Sequence, residues 1–238
     1  MTHKILIACE ESQRVCEAFR RRGFEAYSCD IIECSGGHPE WHIMGDVLPI
    51  LNGRCEFYTM DGVRHYIGRQ WDLIVAHPPC TFLTVTGNRW FNVEKYGEKA
   101  MERQQDREKA AEFFMMFANA DCRRIVIENP IGYMNGVYRK PDQIIHPYYF
   151  AKAEGDENCE RKSTCLWLKG LPPLKYEIKF EPRVIVYKNG KGTDSPWHME
   201  SMGLPKDERS RVRSRTFQGI ADAIAEQYGA VLRQEVLV

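Results

Sequence analysis

Short apolar runs that break off at polar residues set the rhythm of this chain. Lys4-Ile5-Leu6-Ile7-Ala8 stops at Glu10-Glu11-Ser12, after which Val15, Cys16, Ala18 and Phe19 recur at helical spacing up to Gly23. Phe24 to Cys29 reads as a second strand ending in Asp30, so the chain opens with a strand, helix, strand unit of about thirty residues. Such units build parallel sheets through right-handed crossovers. Phe57 to Ile67 alternates around Asp61-Gly62, a hairpin dipeptide, and is expected to leave the main sheet. Trp71 to Ala76 is a buried-strand run, and His77-Pro78-Pro79 ends it because proline has no N–H to give a ladder.

Further on, Glu98 to Asn119 is rich in helix formers and carries Ala110, Phe113, Phe114 and Phe117 on one stripe. Arg124 to Ile127 is the next strand, running into Glu128-Asn129-Pro130. Thr164 to Leu168 and Val184 to Tyr187 predict later strands, and Phe217 to Gly229 a closing helix with Gly229 as its stop. The expected architecture is α/β with a mostly parallel central sheet. It forms a single domain over 1–238, with a hairpin insertion at 55–70 and a small basic lobe at 175–215. In open α/β sheets ligands bind beyond the carboxyl ends of the strands, which singles out the loops after Ala8, Ala76 and Ile127.

Composition narrows the setting. The length suits one sizeable core. No stretch approaches the ~18 apolar residues of a membrane span, and Met1-Thr2-His3-Lys4-Ile5 lacks the start of a secretory signal, so a cytoplasmic location is expected. Nine cysteines, odd in number and scattered, fit a reducing compartment and leave one for chemistry. With 33 basic and 33 acidic residues the chain has no net field to draw in nucleic acid, so any such partner is held by local patches. The clearest patch is Arg209 to Arg215, read either as a phosphate-binding loop through Arg211 and Arg213 or as a solvated basic surface.

Chemistry on an aromatic carbon needs a soft nucleophile at the rim of a pocket, and Cys80, following two prolines, is held on a rigid turn. Glu128, ending the neighbouring strand, can hydrogen-bond or protonate a heterocycle if burial raises its pKa. Taken singly, Cys80 is also readable as an idle loop cysteine and Glu128 as a capping carboxylate. Cys29, Cys34, His38 and His42 faintly share zinc-ligand spacing, but Gly36-Gly37-His38-Pro39 reads more simply as a loop, and no metal is expected.

Together, Ala76-His77-Pro78-Pro79-Cys80 with Gly87 downstream, then Ile127-Glu128-Asn129-Pro130, resemble the cytosine carbon-5 DNA methyltransferases, most closely the compact phage and prophage members. The resemblance implies a Rossmann-like S-adenosylmethionine-dependent methyltransferase fold. It also implies a mechanism in which Cys80 adds to carbon 6 of cytosine, Glu128 engages ring nitrogen 3 and the exocyclic amine, and carbon 5 takes the methyl group. A target in duplex DNA is flipped out of the stack. Arg161, in Glu160-Arg161-Lys162-Ser163-Thr164, stands where the family has Gln-x-Arg-x-Arg, and is the third expected catalytic residue. For the cofactor the resemblance implies the first loop (Ala8, Cys9, Glu10, Ser12), Asp30 after the second strand, Asp46 in Gly45-Asp46-Val47, and Pro78. On the substrate side it implies Pro79 and Asn129.

The chain departs from the family in specific places. Cys9 to Gln13 replaces a glycine-rich first loop, and Phe217-Gln218-Gly219-Ile220-Ala221 lacks the asparagine of the family's last motif. About forty-five residues separate the strand at Leu166 from the closing helix, too few for a target-recognition domain. Trp167, Tyr176, Tyr187 and Trp197 in that region serve either as base-stacking platforms or as core. DNA is the first expected substrate. The same chemistry on RNA or a free cytidine nucleotide, and a non-catalytic nucleic-acid-binding scaffold, are the alternatives. Exocyclic-amine methylation fits less well, because His77 precedes and Cys80 follows the prolines where that chemistry has Asp or Asn and an aromatic.

Overall fold

A computed structural model describes residues 2–234. In chain order the strands are β1 (Lys4–Ala8), β2 (Glu25–Asp30), β3 (His42–Met44), β4 (Cys55–Tyr58), β5 (Arg64–Ile67), β6 (Leu73–Ala76), β7 (Ile125–Pro130), β8 (Gln143–Ile145), β9 (Thr164–Lys169), β10 (Ile185–Val186) and β11 (Thr193–Asp194). The helices are α1 (Arg14–Arg20), α2 (Val93–Tyr96), α3 (Glu98–Ala118), α4 (Met134–Val137), α5 (Pro196–Met202), α6 (Lys206–Ser214) and α7 (Gln218–Gln234).

Seven strands form one sheet in the order β3-β2-β1-β6-β7-β9-β8. The first five are mutually parallel, and β9 runs antiparallel to both β7 and β8. The central strands β1, β6 and β7 are buried on both faces, which explains their apolar runs. Alternate residues serve opposite layers. Ile5, Ile7, Leu73, Val75 and Val126 pack with Val15 and Phe19 of α1 and Ile220, Ile224 and Tyr228 of α7. Leu6, Ala8, Ile74, Ala76, Ile125 and Ile127 pack with Phe114 and Phe117 of α3 and with Trp167. The architecture is therefore α/β with a mostly parallel central sheet. Among the described residues no helix is long and apolar enough to cross a membrane.

From β1 the chain moves outward through β2 and β3, then returns to place β6 on the other side of β1. The loops after β1 and β6 thus diverge from the switch point of the sheet, the place where open α/β sheets bind ligands. The two ends are stitched together, His77 N donating to Ala8 O at 2.9 Å.

Several elements differ from the sequence expectation. β4 and β5 do form a separate two-stranded ribbon around Asp61-Gly62. The run at Val184 to Tyr187 yields only the two residues of β10, paired with β11 and exposed, because it has no layer to cover it. Arg209 to Arg215 is not a loop: most of it lies in α6, and Arg215 caps that helix. Gly229 does not stop the last helix, which continues to Gln234. Its lack of a side chain serves packing instead, since a Cβ there would lie 2.7 Å from Phe24 Cε2 and 2.9 Å from Cζ. Gly229→Ala is expected to lower stability by about 1–2 kcal/mol, overpacking at Phe24 outweighing the better helix propensity of alanine. A urea midpoint shifted downward at unchanged slope checks it.

Candidate active site

The registers that build the sheet also build the site. Ala76 of β6 pairs with Ile127 of β7, so the next residues along, His77 and Glu128, are lateral neighbours. Their side chains meet, His77 Nδ1 lying 2.9 Å from Glu128 Oε2, and both are almost wholly buried. The same edge fixes the proline loop, Asn129 Nδ2 donating to Pro78 O at 2.7 Å. Beyond it the chain turns sharply, with Leu83 N and Thr84 N both donating to Cys80 O. That turn is bonded to the loop after β7 through Tyr133 N to Leu83 O at 2.7 Å and Val85 N to Ile131 O at 3.2 Å.

Electrostatics tie Cys80 to this pair. Burial pushes the half-buried Cys80 thiol up, the Glu128 charge pushes it further, and Lys162 pulls it back in part. The thiol is therefore protonated at rest. Burial also pushes Glu128 upward. The His77 hydrogen bond and the charges of Lys162 and His77 outweigh it, so the carboxyl sits below its ordinary value. The condition for Glu128 to act as a proton donor, a carboxyl raised by burial, is thus not met, and opposite an ionised carboxylate the hydrogen bond is one that His77 Nδ1 donates. His77 Nε2 is buried and has no hydrogen-bond partner among the described residues.

Lys162, just before β9, is the cation that reaches both groups, and its Nζ donates to Arg213 O at 3.1 Å and Arg215 O at 3.3 Å. The C-terminal end of α6 is thereby fastened beside the site. Arg161 is exposed, and its charge bears on His146 rather than on Cys80 or Glu128. Arg211 is exposed on α6, whereas Arg213 is drawn back onto α5, its Nε donating to Ser201 Oγ at 2.9 Å. Pro79 is exposed at the rim of the loop. Asn129 is consumed in holding Pro78.

At the neighbouring strand end, Ala8 closes β1 and Cys9 follows in a left-handed backbone, φ 59°, as does Gln13. Two non-glycine residues thus hold conformations that glycine normally supplies, a kind of strain that collects at ligand-binding turns. Asp30 and Asp46 both bear on Cys9, so these three expected cofactor residues share one region. Burial, followed by Asp30, pushes the Cys9 thiol up. Glu10 turns inward, its two oxygens accepting from Val15 N at 2.7 Å and Cys16 N at 3.1 Å. It caps α1 where Gln13 makes no side-chain cap. Ser12 is buried in the same loop. Gly36 packs against it so closely that a Cβ would lie 2.6 Å from Gln13 Cβ and 2.8 Å from Ser12 O.

The remaining candidates settle into structure. Trp167 is core, edge-on to Phe114 with Nε1 donating to Arg139 O at 2.8 Å. Tyr176 stacks on Tyr149, Tyr187 donates to Asp194, and Trp197 packs on Phe217. Both ring nitrogens of His42 are engaged, by Ser28 Oγ and Ile32 O, and His38 stacks on Trp41. Among the described residues no group of three metal-ligating side chains forms.

His77 and Lys162 escaped the sequence reading. His77 had a signal: the apolar run of β6 and that of β7 switch to polar at His77 and Glu128, and aligning the two switches places the residues side by side. No family model matches the chain, and no curated protein matches it significantly.

Proposed function

We propose that this chain is an S-adenosylmethionine-dependent cytosine carbon-5 methyltransferase acting on DNA. The observation that carries the reading is that Cys80 and Glu128 lie in one electrostatic field at the carboxyl ends of adjacent parallel strands, beside the switch point of the sheet. A nucleophile and a heterocycle-binding acid in that arrangement suit one pyrimidine ring between them. The neighbouring loop, strained at Cys9 and Gln13 and faced by Asp30, fits the adenosyl cofactor, since an acid after the second strand accepts from ribose hydroxyls. S-adenosylmethionine, when bound, supplies an electrophilic methyl group.

The chain's own groups do the rest. The Cys80 sulfur bonds to carbon 6, and the thiol proton reaches ring nitrogen 3 by way of the Glu128 carboxylate, so the base gains both halves of S–H. Carbon 5, now enamine-like, would bond to the methyl carbon as the bond from that carbon to the cofactor's sulfonium breaks, leaving S-adenosylhomocysteine. Loss of the carbon-5 proton to solvent then breaks the bond between sulfur and carbon 6, and the departing Cys80 thiolate regains its proton from ring nitrogen 3 by way of Glu128. His77 keeps Glu128 ionised and oriented to accept the thiol proton.

Duplex DNA is favoured by the basic end of α6, fastened beside the site through Lys162 and presenting Arg211 to solvent. A free cytidine nucleotide is the second reading, favoured by the small size of what lies between β9 and α7: a two-residue ribbon, β10 and β11, and the short helices α5 and α6. A methyl-transfer assay on duplex DNA, transfer RNA and deoxycytidine nucleotides separates them. Label is expected in duplex DNA, recovered by mass spectrometry as 5-methylcytosine. Label in the nucleotide alone overturns the DNA assignment, and methyl on the exocyclic amine overturns the chemistry.

A further inference from the structure

Among the described residues the buried carboxylates have partners, with one exception. Glu10 accepts two backbone N–H groups, Glu128 meets His77, and Glu160 meets Arg183. Glu11 is 8 % exposed, yet neither Oε1 nor Oε2 has a hydrogen-bond partner among the described residues. Leaving a buried acceptor unsatisfied costs about 1–3 kcal/mol, and more for a charged one, so such a group persists where something else repays it.

The position of Glu11 says what that is. Its charge bears on Glu10, Asp30 and His42, which places it beside the ends of β1 and β2, in the region that Cys9 and Asp30 share. The nearby imidazole cannot serve it, because both nitrogens of His42 are already bonded. The loop that carries it is held on its outer side, Ser35 N donating to Glu11 O at 2.9 Å and Gly36 packing on Ser12 and Gln13.

We infer that the Glu11 carboxylate is a ligand-binding group that accepts hydrogen bonds from an N–H or O–H donor of the adenosyl cofactor, an inference that rests on the methyltransferase reading. The donor is either the ammonium of the amino-acid tail or a ribose hydroxyl. In both cases the ligand supplies what the fold withholds, and binding strength comes from a group that the unliganded protein carries at a loss.

The experiment is calorimetry of wild type and Glu11→Gln with S-adenosylhomocysteine and with 5′-methylthioadenosine, which keeps the ribose and lacks the amino-acid tail. Melting temperatures are measured without ligand. Glu11→Gln is expected to bind S-adenosylhomocysteine about tenfold to a hundredfold more weakly, the range for a hydrogen bond to a charged group. Its unliganded melting temperature is expected to rise by about 2–4 °C, because a buried unpartnered carboxylate has been removed. A loss confined to S-adenosylhomocysteine assigns the ammonium, and a loss for both ligands assigns the ribose. Affinities within about twofold of wild type, or weaker binding accompanied by a lower melting temperature, overturn the inference and leave Glu11 a structural residue. A wild-type chain that binds neither ligand removes the cofactor reading and this inference with it. Tight binding by both proteins removes the inference alone.

Discussion

Cys80→Ala is expected to abolish methyl transfer, with turnover falling by more than about 10⁴-fold, the scale on which enzymes lose a covalent nucleophile. The loss is large because the pyrimidine ring has no other route to a reactive carbon 5: without a bond from sulfur to carbon 6 the ring stays aromatic. Structure is expected to survive the change. Cys80 is half-buried, makes no side-chain hydrogen bond among the described residues, and sits in a turn held through its backbone oxygen. A substrate containing 5-fluorocytosine gives the sharper readout. After methyl transfer carbon 5 carries fluorine where a proton would leave, so elimination stops and the sulfur remains bonded to the base. Wild type is expected to form a complex with this substrate that survives denaturing electrophoresis, and Cys80→Ala none. An active alanine variant, or a trapped complex without Cys80, removes this residue from its role.

Most of the sheet was legible in the sequence because its central strands are buried on both faces, and such strands announce themselves as apolar runs with abrupt polar ends. β1, β6 and β7 are runs of this kind, and their ends carry the site. β3 and β8 were not legible. Each is three residues long, lies at an edge of the sheet and has an exposed position, Met44 in one and Ile144 in the other. α6 was hidden for a different reason. Its three arginines and their acidic neighbours have no apolar stripe to mark a buried face, and it is held by Lys162 reaching its carbonyl end from a distant part of the chain. In the site itself, Cys80 and Glu128 stood out through residue type and order, while the groups that tune them did not. The hydrogen bond of His77 to Glu128 spans 51 positions and depends on strand register. Lys162 depends on the antiparallel return of β9. Glu11 is visible only as an absence of partners, which no sequence pattern encodes.

The field around Cys80 yields a pair of predictions with opposite signs. The thiol is raised by burial and by Glu128 and lowered by Lys162. Removing the Glu128 charge therefore lowers the thiol pKa, and removing the Lys162 charge raises it. Glu128→Gln is expected to reduce turnover by about 10²–10³-fold, the effect of deleting one electrostatic partner of a transition state. The same variant is expected to make Cys80 more reactive toward iodoacetamide at mildly alkaline pH, because the thiolate is the nucleophile and more of it is present. Lys162→Met is expected to slow alkylation at the same pH and to shift the rate profile upward in pH. A variant that merely loosened the fold would expose the thiol and accelerate alkylation in both cases. Rates that move in opposite directions thus report charge rather than damage, and they do so without any methyl-transfer assay. Alkylation that is unchanged in Glu128→Gln would mean that the carboxylate and the sulfur do not share a site. The dyad on which the methyltransferase reading stands would then be lost, whatever the activity on DNA.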